Sequence, residues 1–421
     1  MSNQSLDLSA DPATAARRAY EASLVLAKTK AAVRSEALTA MAEALKESQD
    51  DILEANTLDL EASRDMAMSE LMLDWIKLTP ERLQSSIQIV ERLAELSDPT
   101  RRLLNASYQL EQSQTYCQLV PLGAIALIYE AFPEIAAIAA GMCLRTGNSI
   151  ILKGGSDSSN ANTVIAEAIK SAVEQSGLPT GSIEFLAAEQ GSTIRDLLTQ
   201  DRYINLVIPY GRPSLIQQVM RQATTSVLKS AMGNCYLYWS GNGSLELVRW
   251  AILDSHKSVP DPVNAIEKVL IHTSHNSAAL TSLWKSLQDN RVQIRGDERI
   301  VAEYPQVPLC NEAEWSQPYF TRTVAFKMVD SLDEAIAWIN QRSSGHADCI
   351  VTESYQESCQ FGVGVNSASV YVNMSPRFSR LPKQRDTVFL GMSNQKGYRR
   401  GLINLEALTT VKQVIQGSGY L

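Results

Sequence analysis

The sequence predicts an α/β protein in which a parallel sheet, covered by helices on both faces, makes up much of the first half. Two observations lead to this fold class. From Ala124 onward, short continuous apolar runs alternate with longer stretches of helical periodicity, which is the pattern of βαβ units. The chain has 421 residues, of which 45% are hydrophobic and 20% are charged, so we expect a folded protein with two or more domains.

The chain is predicted to be helical from about residue 12 to residue 97. Apolar residues at helical spacing share one face: Val33, Ala37, Met41 and Leu45. Thr79-Pro80 marks the start of a helix, because a hydroxyl caps the first turn and proline lacks an N–H that this position does not use. Asp98-Pro99 ends the helical section.

An extended ribbon over residues 114–120 precedes the first βα series. The series consists of a strand at 124–128, a helix at 135–144, a strand at 149–152 and a helix at 160–173, and it continues through 183–186, 194–198, 204–208 and 215–220. These strands are continuously apolar, which is typical of a sheet that is buried on both faces.

A second series begins near residue 258. Its strands are predicted at 268–272, 324–328, 349–351 and 370–373. Ser331 and Glu334 have the spacing of a capping box that opens a helix over 335–340. No repeat or low-complexity linker separates the two series, so we expect the chain to cross directly from one domain to the next.

Charge and hydropathy exclude several classes of partner. The formal net charge is −8 and there is no long basic run, which disfavours a function on nucleic acid. No run of 18 apolar residues occurs, and the N-terminus lacks the basic start and apolar core of a secretory signal. We therefore expect a cytoplasmic protein that does not span a membrane.

The six cysteines and four histidines are dispersed along the chain. There is no CxxC pair, and no carboxylate or thiol stands at metal-ligand spacing beside His272 and His275, so we expect no metal site. Scattered thiols are typical of a reducing compartment.

Lys153, Gly154 and Gly155 follow the predicted strand at 149–152 and are the first candidates for a binding site. A cation and two glycines at the carboxyl end of a strand suit a phosphate or a ribose, because backbone and charge approach such a group closely there. The same three residues also form ordinary turns, and on their own they leave both interpretations open.

Five motifs occur in order along the chain. They are Leu78-Thr79-Pro80-Glu81-Arg82, Val120-Pro121-Leu122-Gly123, Leu144-Arg145-Thr146-Gly147-Asn148, Ser367-Ala368-Ser369-Val370-Tyr371-Val372-Asn373 and Asn404-Leu405-Glu406-Ala407-Leu408-Thr409-Thr410. Together they resemble the γ-glutamyl phosphate reductase family of the aldehyde dehydrogenase superfamily. The resemblance implies an aldehyde dehydrogenase-like α/β fold with a Rossmann-type cofactor domain, an α/β catalytic domain and a small oligomerisation β-ribbon.

The resemblance also implies a reaction, the NADPH-dependent reduction of an acyl phosphate to an aldehyde, in which a cysteine thiolate displaces phosphate to give a thioester. That cysteine stands in a stretch resembling Arg-Pro-Ser-Thr-Cys-Asn-Thr. The matching stretch here is Val259-Pro260-Asp261-Pro262-Val263-Asn264-Ala265. Val263 therefore takes the place of the nucleophile beside a retained Asn264, and an isopropyl group cannot attack. We expect no intact catalytic residue, only a degenerate site at Val263 and Asn264.

Further departures from the family pattern fall on residues around the chemistry. Where the family has Arg-Pro-Asn, this chain has Phe132-Pro133-Glu134, and where the family has Gly-Gly-Lys-Glu, this chain has Gly154-Gly155-Ser156-Asp157. The family's Pro-Arg-Gly-Gly is replaced by Pro209-Tyr210-Gly211-Arg212. Its Phe-Gly-Leu-Gly-Ala-Glu is replaced by Gln384-Arg385-Asp386-Thr387-Val388-Phe389. The last of these removes a glutamate that meets the nicotinamide ribose in relatives. The candidate cofactor-binding residues that remain are Lys153, Gly154, Gly155, Pro209 and Gly211. The cofactor implied is NADP, and we expect its binding to be weak or lost.

Three functions stay open, and we favour a pseudoenzyme with a structural or regulatory role through protein contacts, with a protein partner not yet identified. The alternatives are an active NADPH-dependent γ-glutamyl phosphate reductase with displaced chemistry and another dehydrogenase-like activity. Cys235 and Cys310 lie too far from position 263 for a slip in alignment to supply the thiol. We expect Cys235 to be a small buried hydrophobe.

The domains follow from the resemblance. Residues 1–106 and 121–255 are predicted to form an NADP-binding-type domain, residues 256–385 a catalytic-type domain, and residues 107–120 with 400–421 an oligomerisation segment. The strand edges of that segment would seek a second copy of the chain, so we expect a dimer-based homo-oligomer.

Overall fold

The computed structural model describes residues 11–100, 102–106, 113–188, 194–257, 262–384, 386–397 and 400–417. The chain divides into two compact units. The first unit comprises Met1–Lys229, Arg380–Leu390 and Ile403–Leu421, and the second comprises Ser230–Ser379 and Gly391–Leu402.

The first unit opens with five helices: α1 (Pro12–Leu26), α2 (Ala31–Glu47), α3 (Gln49–Asp65), α4 (Glu70–Ile76) and α5 (Pro80–Glu95). The start of α5 is confirmed, because the Thr79 hydroxyl accepts the Arg82 N–H and Pro80 is the first helical residue. On α2 the predicted apolar face is also confirmed. Ala37, Met41 and Leu45 on that face are fully buried.

Two strands, β1 (Leu103–Asn105) and β2 (Ser113–Pro121), precede the first βα series. The series consists of β3 (Ala124–Tyr129), α6 (Ile135–Arg145), β4 (Ser149–Gly154), α7 (Ser159–Gln175), β5 (Ile183–Phe185), α8 (Ile194–Leu198), β6 (Leu206–Tyr210) and α9 (Pro213–Gln222). The four strands β3–β6 form a parallel sheet in the order β5-β4-β3-β6, and all of their residues are buried, as predicted. The strand order reverses between β3 and β6, and ligands of open α/β sheets bind beyond the carboxyl ends of the strands at such a point.

The second unit contains β7 (Ser230–Ala231), β8 (Cys235–Trp239), α10 (Leu245–Ser255), β9 (Ile266–His272), α11 (Ser277–Asp289), β10 (Gln293–Gly296), α12 (Glu298–Glu303), β11 (Thr323–Val329), α13 (Leu332–Arg342), β12 (Ala347–Val351), α14 (Tyr355–Gly364), β13 (Ser369–Val372), β14 (Met392–Ser393) and β15 (Gly401–Leu402). Six of these strands form a parallel sheet in the order β10-β11-β9-β8-β12-β13. The short strands β7, β14 and β15 form a separate antiparallel sheet.

The boundary between the two units differs from the predicted one. The resemblance places residues 230–255 in the first domain, but β8 lies between β9 and β12 in the second sheet. The boundary therefore falls after Lys229 rather than after residue 255. The strand–helix pattern continues through this point unchanged, so it holds no signal for the change of sheet.

The start of α13 also differs in one detail. The Ser331 hydroxyl accepts the Glu334 N–H at 3.2 Å, as a capping box requires. The Glu334 carboxylate accepts the N–H of Asp330, one residue before the cap, at 2.7 Å. The first half of the predicted box is therefore present, and the returning half is shifted by one residue.

The last strand, β16 (Thr409–Gly417), joins β1 and β2 in a three-stranded antiparallel ribbon within the first unit. It pairs with β2 along its whole length, from Thr409 opposite Pro121 to Gly417 opposite Ser113. The predicted pairing of the two segments is thereby confirmed, although residues 107–112 lie outside the described chain. Val411 and Ile415 on β16 are 48% and 50% exposed.

None of the helices in the described ranges is long and apolar enough to cross a membrane.

Candidate functional site

A cleft of about 390 Å³ lies in the first unit beyond the carboxyl ends of β3 and β4, beside the start of α9. The residues that line it are Ile128, Tyr129, Glu130, Lys153, Gly154, Gly155, Ser156, Ala188, Ile194, Arg212, Ser214, Leu215 and Gln218. Three of the predicted cofactor-binding residues, Lys153, Gly154 and Gly155, are therefore brought together at the topological switch point.

Lys153 lines the cleft at the end of β4, but its ammonium group is already engaged. Its Nζ donates to the Ala187 carbonyl at 2.8 Å, and the residue is only 6% exposed. Burial lowers the pKa of Lys153, because the charged form loses its hydration. The ammonium group that we expected to bind a phosphate therefore binds a backbone carbonyl of the same unit.

The two glycines after Lys153 leave room for side chains of the same unit. A Cβ on Gly154 would overlap the Asn162 amide, whose Oδ1 lies 3.1 Å from the Tyr129 hydroxyl. A Cβ on Gly155 would overlap the Asp157 carboxylate. Burial, together with the nearby Glu130 charge, raises the pKa of Asp157. Internal packing therefore fills the space that the missing side chains leave.

The start of α9 carries a cation that binds a carboxylate at the end of β3. Glu130 Oε1 accepts the Arg212 backbone N–H at 2.5 Å and Arg212 Nε at 2.9 Å, and Oε2 accepts Nη2 at 2.8 Å. This hydrogen-bonded pair raises the pKa of Arg212. Gly211 has φ +145°, and a Cβ there would overlap the Glu130 side chain. Pro209 lies in β6 opposite Ile128, as part of the sheet.

We had not predicted this pair as a site, although a signal for it exists in the sequence. The family comparison marks Arg212 only as a departure from a glycine, and Glu130 lies just beyond the strand predicted at 124–128. The informative feature is that opposite charges follow β3 and β6, which are adjacent in the sheet.

Aromatic residues occupy the neighbouring family-variant positions in the first unit. The Tyr210 hydroxyl accepts Arg380 Nη2 at 2.7 Å, and the Tyr210 ring meets Phe132 edge to face at 5.8 Å. Phe389, in place of the family's glutamate, donates its N–H to the Arg380 carbonyl at 2.9 Å. Arg385 of the same segment lies outside the described residues.

The turn after β3 has an unusual backbone. Ala131 and Phe132 have φ of +53° and +44°, a left-handed conformation that strains residues with a Cβ. Neither residue is a glycine, so the sequence gives no indication of this geometry.

Val263, which the resemblance matches to the nucleophile, lies in the second unit just before β9 and is fully buried. Its carbonyl oxygen lies 2.6 Å from His346 Nε2 and accepts the Gly233 N–H at 3.1 Å. Asn264 donates to the Pro376 carbonyl at 2.8 Å, and its Oδ1 has no hydrogen-bond partner among the described residues. Of the preceding motif, residues 259–261 lie outside the described chain.

A cysteine–histidine contact lies behind Val263 and had not been predicted. Cys235 Sγ is 3.3 Å from His346 Nε2. Burial raises the pKa of the Cys235 thiol well above its usual value and lowers the pKa of His346 to about 4. Both groups are therefore neutral near pH 7, so the contact does not generate a thiolate. Cys235 is fully buried, as expected for a small hydrophobe.

Cys310 does not supply a reactive thiol either. Its Sγ lies 3.4 Å from the Tyr319 hydroxyl, and the residue is 5% exposed. Burial raises the pKa of Cys310 to about 11. In the described part of the chain, no group of three or more His, Cys, Asp or Glu side chains is arranged to hold a metal ion.

Glu267, the second residue of β9, forms hydrogen bonds with the backbone near Val263. Its fully buried carboxylate accepts the N–H groups of Asn234, Tyr319 and Phe320 at 2.8, 2.9 and 2.8 Å. Lys268 Nζ lies 3.5 Å from the same carboxylate. A buried carboxylate thus holds three backbone N–H groups of the second unit in place.

Several known proteins are similar to this chain in sequence. The model of the aldehyde dehydrogenase family matches residues 5–235. "Gamma-glutamyl phosphate reductase 2" of Synechocystis sp. is 52% identical over 385 residues, which is 91% of this chain and 92% of that protein. Gamma-glutamyl phosphate reductase of Gloeobacter violaceus is 38% identical and covers 96% of this chain and 97% of its own.

A solved structure gives the same result. The crystal structure of gamma-glutamyl phosphate reductase from Thermotoga maritima aligns with a TM-score of 0.87 at 30% identity, covering 98% of this chain and all of that one. The aldehyde dehydrogenase-like fold is thereby confirmed. The chain belongs to the aldehyde dehydrogenase family and, within it, to the γ-glutamyl phosphate reductases.

Proposed function

We propose that this chain is a pseudoenzyme of the γ-glutamyl phosphate reductase family, with a structural or regulatory role through protein contacts. The observation that carries the proposal is Val263, a fully buried isopropyl group where the reaction needs a thiolate. The neighbouring cysteines of the second unit do not replace it, because burial keeps Cys235 and Cys310 protonated.

A second candidate is an active NADPH-dependent γ-glutamyl phosphate reductase of proline biosynthesis. The similarity to the Synechocystis protein favours it, since 52% identity over nearly the whole chain accompanies the name of a reductase. This candidate requires a nucleophile other than a thiol at position 263.

The aldehyde dehydrogenase family uses NAD(P), and the described residues of the cleft do not fit that group well. Glu130 places a carboxylate in the cleft where the phosphates of a dinucleotide would approach, and the Lys153 ammonium is bound to the Ala187 carbonyl. Like charges at contact distance oppose binding. The proposal therefore includes weak or lost binding of NADPH.

The proposed role depends on assembly, and the ribbon β1-β2-β16 is the proposed contact between copies. Among the described strands β16 pairs with β2 alone, and Val411 and Ile415 on it are half exposed. An edge strand with exposed apolar side chains favours pairing with a second chain. A dimer-based homo-oligomer accords with this edge, and thiols scattered along the sequence accord with a cytoplasmic location.

Complementation tests the function directly. A proline auxotroph that lacks its own reductase should not grow when it carries this chain, whereas the Gloeobacter violaceus reductase should restore growth. Purified protein should likewise reduce no NADP in the presence of glutamate semialdehyde and phosphate, because loss of a catalytic nucleophile lowers rates by roughly 10⁴–10⁶. Growth of the auxotroph, or steady NADP reduction, would establish the second candidate instead.

A further inference from the structure

The Glu130 carboxylate occupies the position at the start of α9 where an anionic ligand group would bind. Backbone N–H groups at a helix N-terminus attract anions, and in open parallel sheets this end of the strands faces the ligand. Here the anion belongs to the chain itself, since Glu130 Oε1 accepts the Arg212 N–H at 2.5 Å.

Two neighbouring residues make this contact close. Gly211 lacks the Cβ that would overlap Glu130, so the carboxylate can approach the backbone. The Arg212 guanidinium then binds both carboxylate oxygens, through Nε at 2.9 Å and Nη2 at 2.8 Å. A two-point contact of this kind is among the stronger hydrogen-bonded pairs in proteins.

The remaining charges of the cleft do not offset this arrangement. Arg212 is neutralised by Glu130, and the Lys153 ammonium donates to the Ala187 carbonyl. An entering phosphate would find Glu130 already bound to the donors that it needs.

We infer that Glu130 is an internal anion which, held by Arg212, excludes phosphate-bearing ligands from the cleft of the first unit. The pair thereby determines what the cleft accepts. The inference rests on the proposed loss of NADPH binding and gives its cause. The resemblance gives a glycine at position 212 in the family motif, and a glycine could not make the side-chain contacts that Arg212 makes here.

The test measures binding of NADPH and of inorganic pyrophosphate by calorimetry to five forms of the full chain. These are the wild type, Glu130→Gln, Glu130→Ala, the double variant Glu130→Gln with Arg212→Gln, and Glu61→Gln. The last is a matched control, because Glu61 is exposed on α3 and does not line the cleft. Glu130→Ala also removes the carboxylate and so repeats the test with a different side chain. Thermal unfolding checks that each form is folded.

Removal of the carboxylate should free Arg212 and raise the affinity for pyrophosphate by about 10- to 100-fold, the range expected for hydrogen bonds to a charged group. The double variant should lose that gain, and Glu61→Gln should behave as the wild type. Wild-type binding of NADPH in the low micromolar range would overturn both the inference and the proposed loss of cofactor. Folded Glu130→Gln and Glu130→Ala proteins with wild-type affinity would overturn the inference alone.

Discussion

The substitution Val263→Cys is expected to leave the protein inactive as a reductase, and burial of the position gives the reason. The position is fully buried, so a thiol there would be desolvated as Cys310 is. Cys310, itself 5% exposed, has its pKa raised to about 11. A thiol with that pKa is ionised in roughly one molecule in 10⁴ at pH 7, and nucleophilic attack is slowed by about the same factor.

Alkylation by iodoacetamide measures this directly. The substitution is made together with Cys359→Ser, because Cys359 is an exposed thiol and would react first. In the otherwise wild-type chain, Cys359 serves as the positive control for an accessible cysteine. The rate at the new thiol should rise with pH up to about pH 9.5 without reaching a plateau, since the fraction of thiolate keeps increasing.

Initial rates of NADP reduction with glutamate semialdehyde and phosphate complete the assay. They should stay at background in the Val263→Cys variant, because Glu130 and Arg212 still occupy the cleft of the first unit. Alkylation that reaches a plateau below about pH 8, or measurable NADP reduction, would refute the reasoning from burial.

Three further predictions follow from the described contacts. A chain that ends at Asn404 lacks β16 and should give monomers or insoluble protein, whereas the full chain should form dimers; a clean full-length monomer by light scattering would contradict this. Thr79→Ala removes the cap of α5 and should lower the free energy of unfolding by about 1 kcal/mol in urea titration, while Thr57→Ala inside α3 should change it by less than about 0.5 kcal/mol. The pKa of His346 is about 4 in the folded protein against 6.5 in its usual state, so the unfolded chain takes up the proton first and stability should fall as pH drops from about 6.5 to 4. His346→Gln should flatten that dependence of the unfolding midpoint, and an unchanged slope would contradict the assignment.

The first sheet could be predicted because its signal is local. Each of β3, β4 and β6 is a continuous apolar run between helical segments, and full burial on both faces requires such runs. The boundary after Lys229 could not be predicted, because β8 has the same apolar pattern as those strands. Which sheet a strand joins depends on contacts with distant strands, here β9 and β12.

The candidate site shows the same division between local and distant information. The motif around Lys153 predicted three residues that line the cleft, because they follow one another along the chain. The bonds between Glu130 and Arg212 join residues that are 82 positions apart, and those between Cys235 and His346 join residues 111 apart. Periodicity and spacing carry no information at such separations.

The buried carboxylate of Glu267 has an evolutionary consequence. It ties three backbone amides, and replacing it with an apolar side chain would leave them unsatisfied, at about 1–3 kcal/mol for each. The side chain at position 263 accepts no such hydrogen bonds, because it is a buried, apolar valine. A folded chain therefore needs a carboxylate at residue 267, whereas at residue 263 it needs only a small side chain that can be buried. Folding alone thus permits a wider choice of residues at position 263 than at position 267.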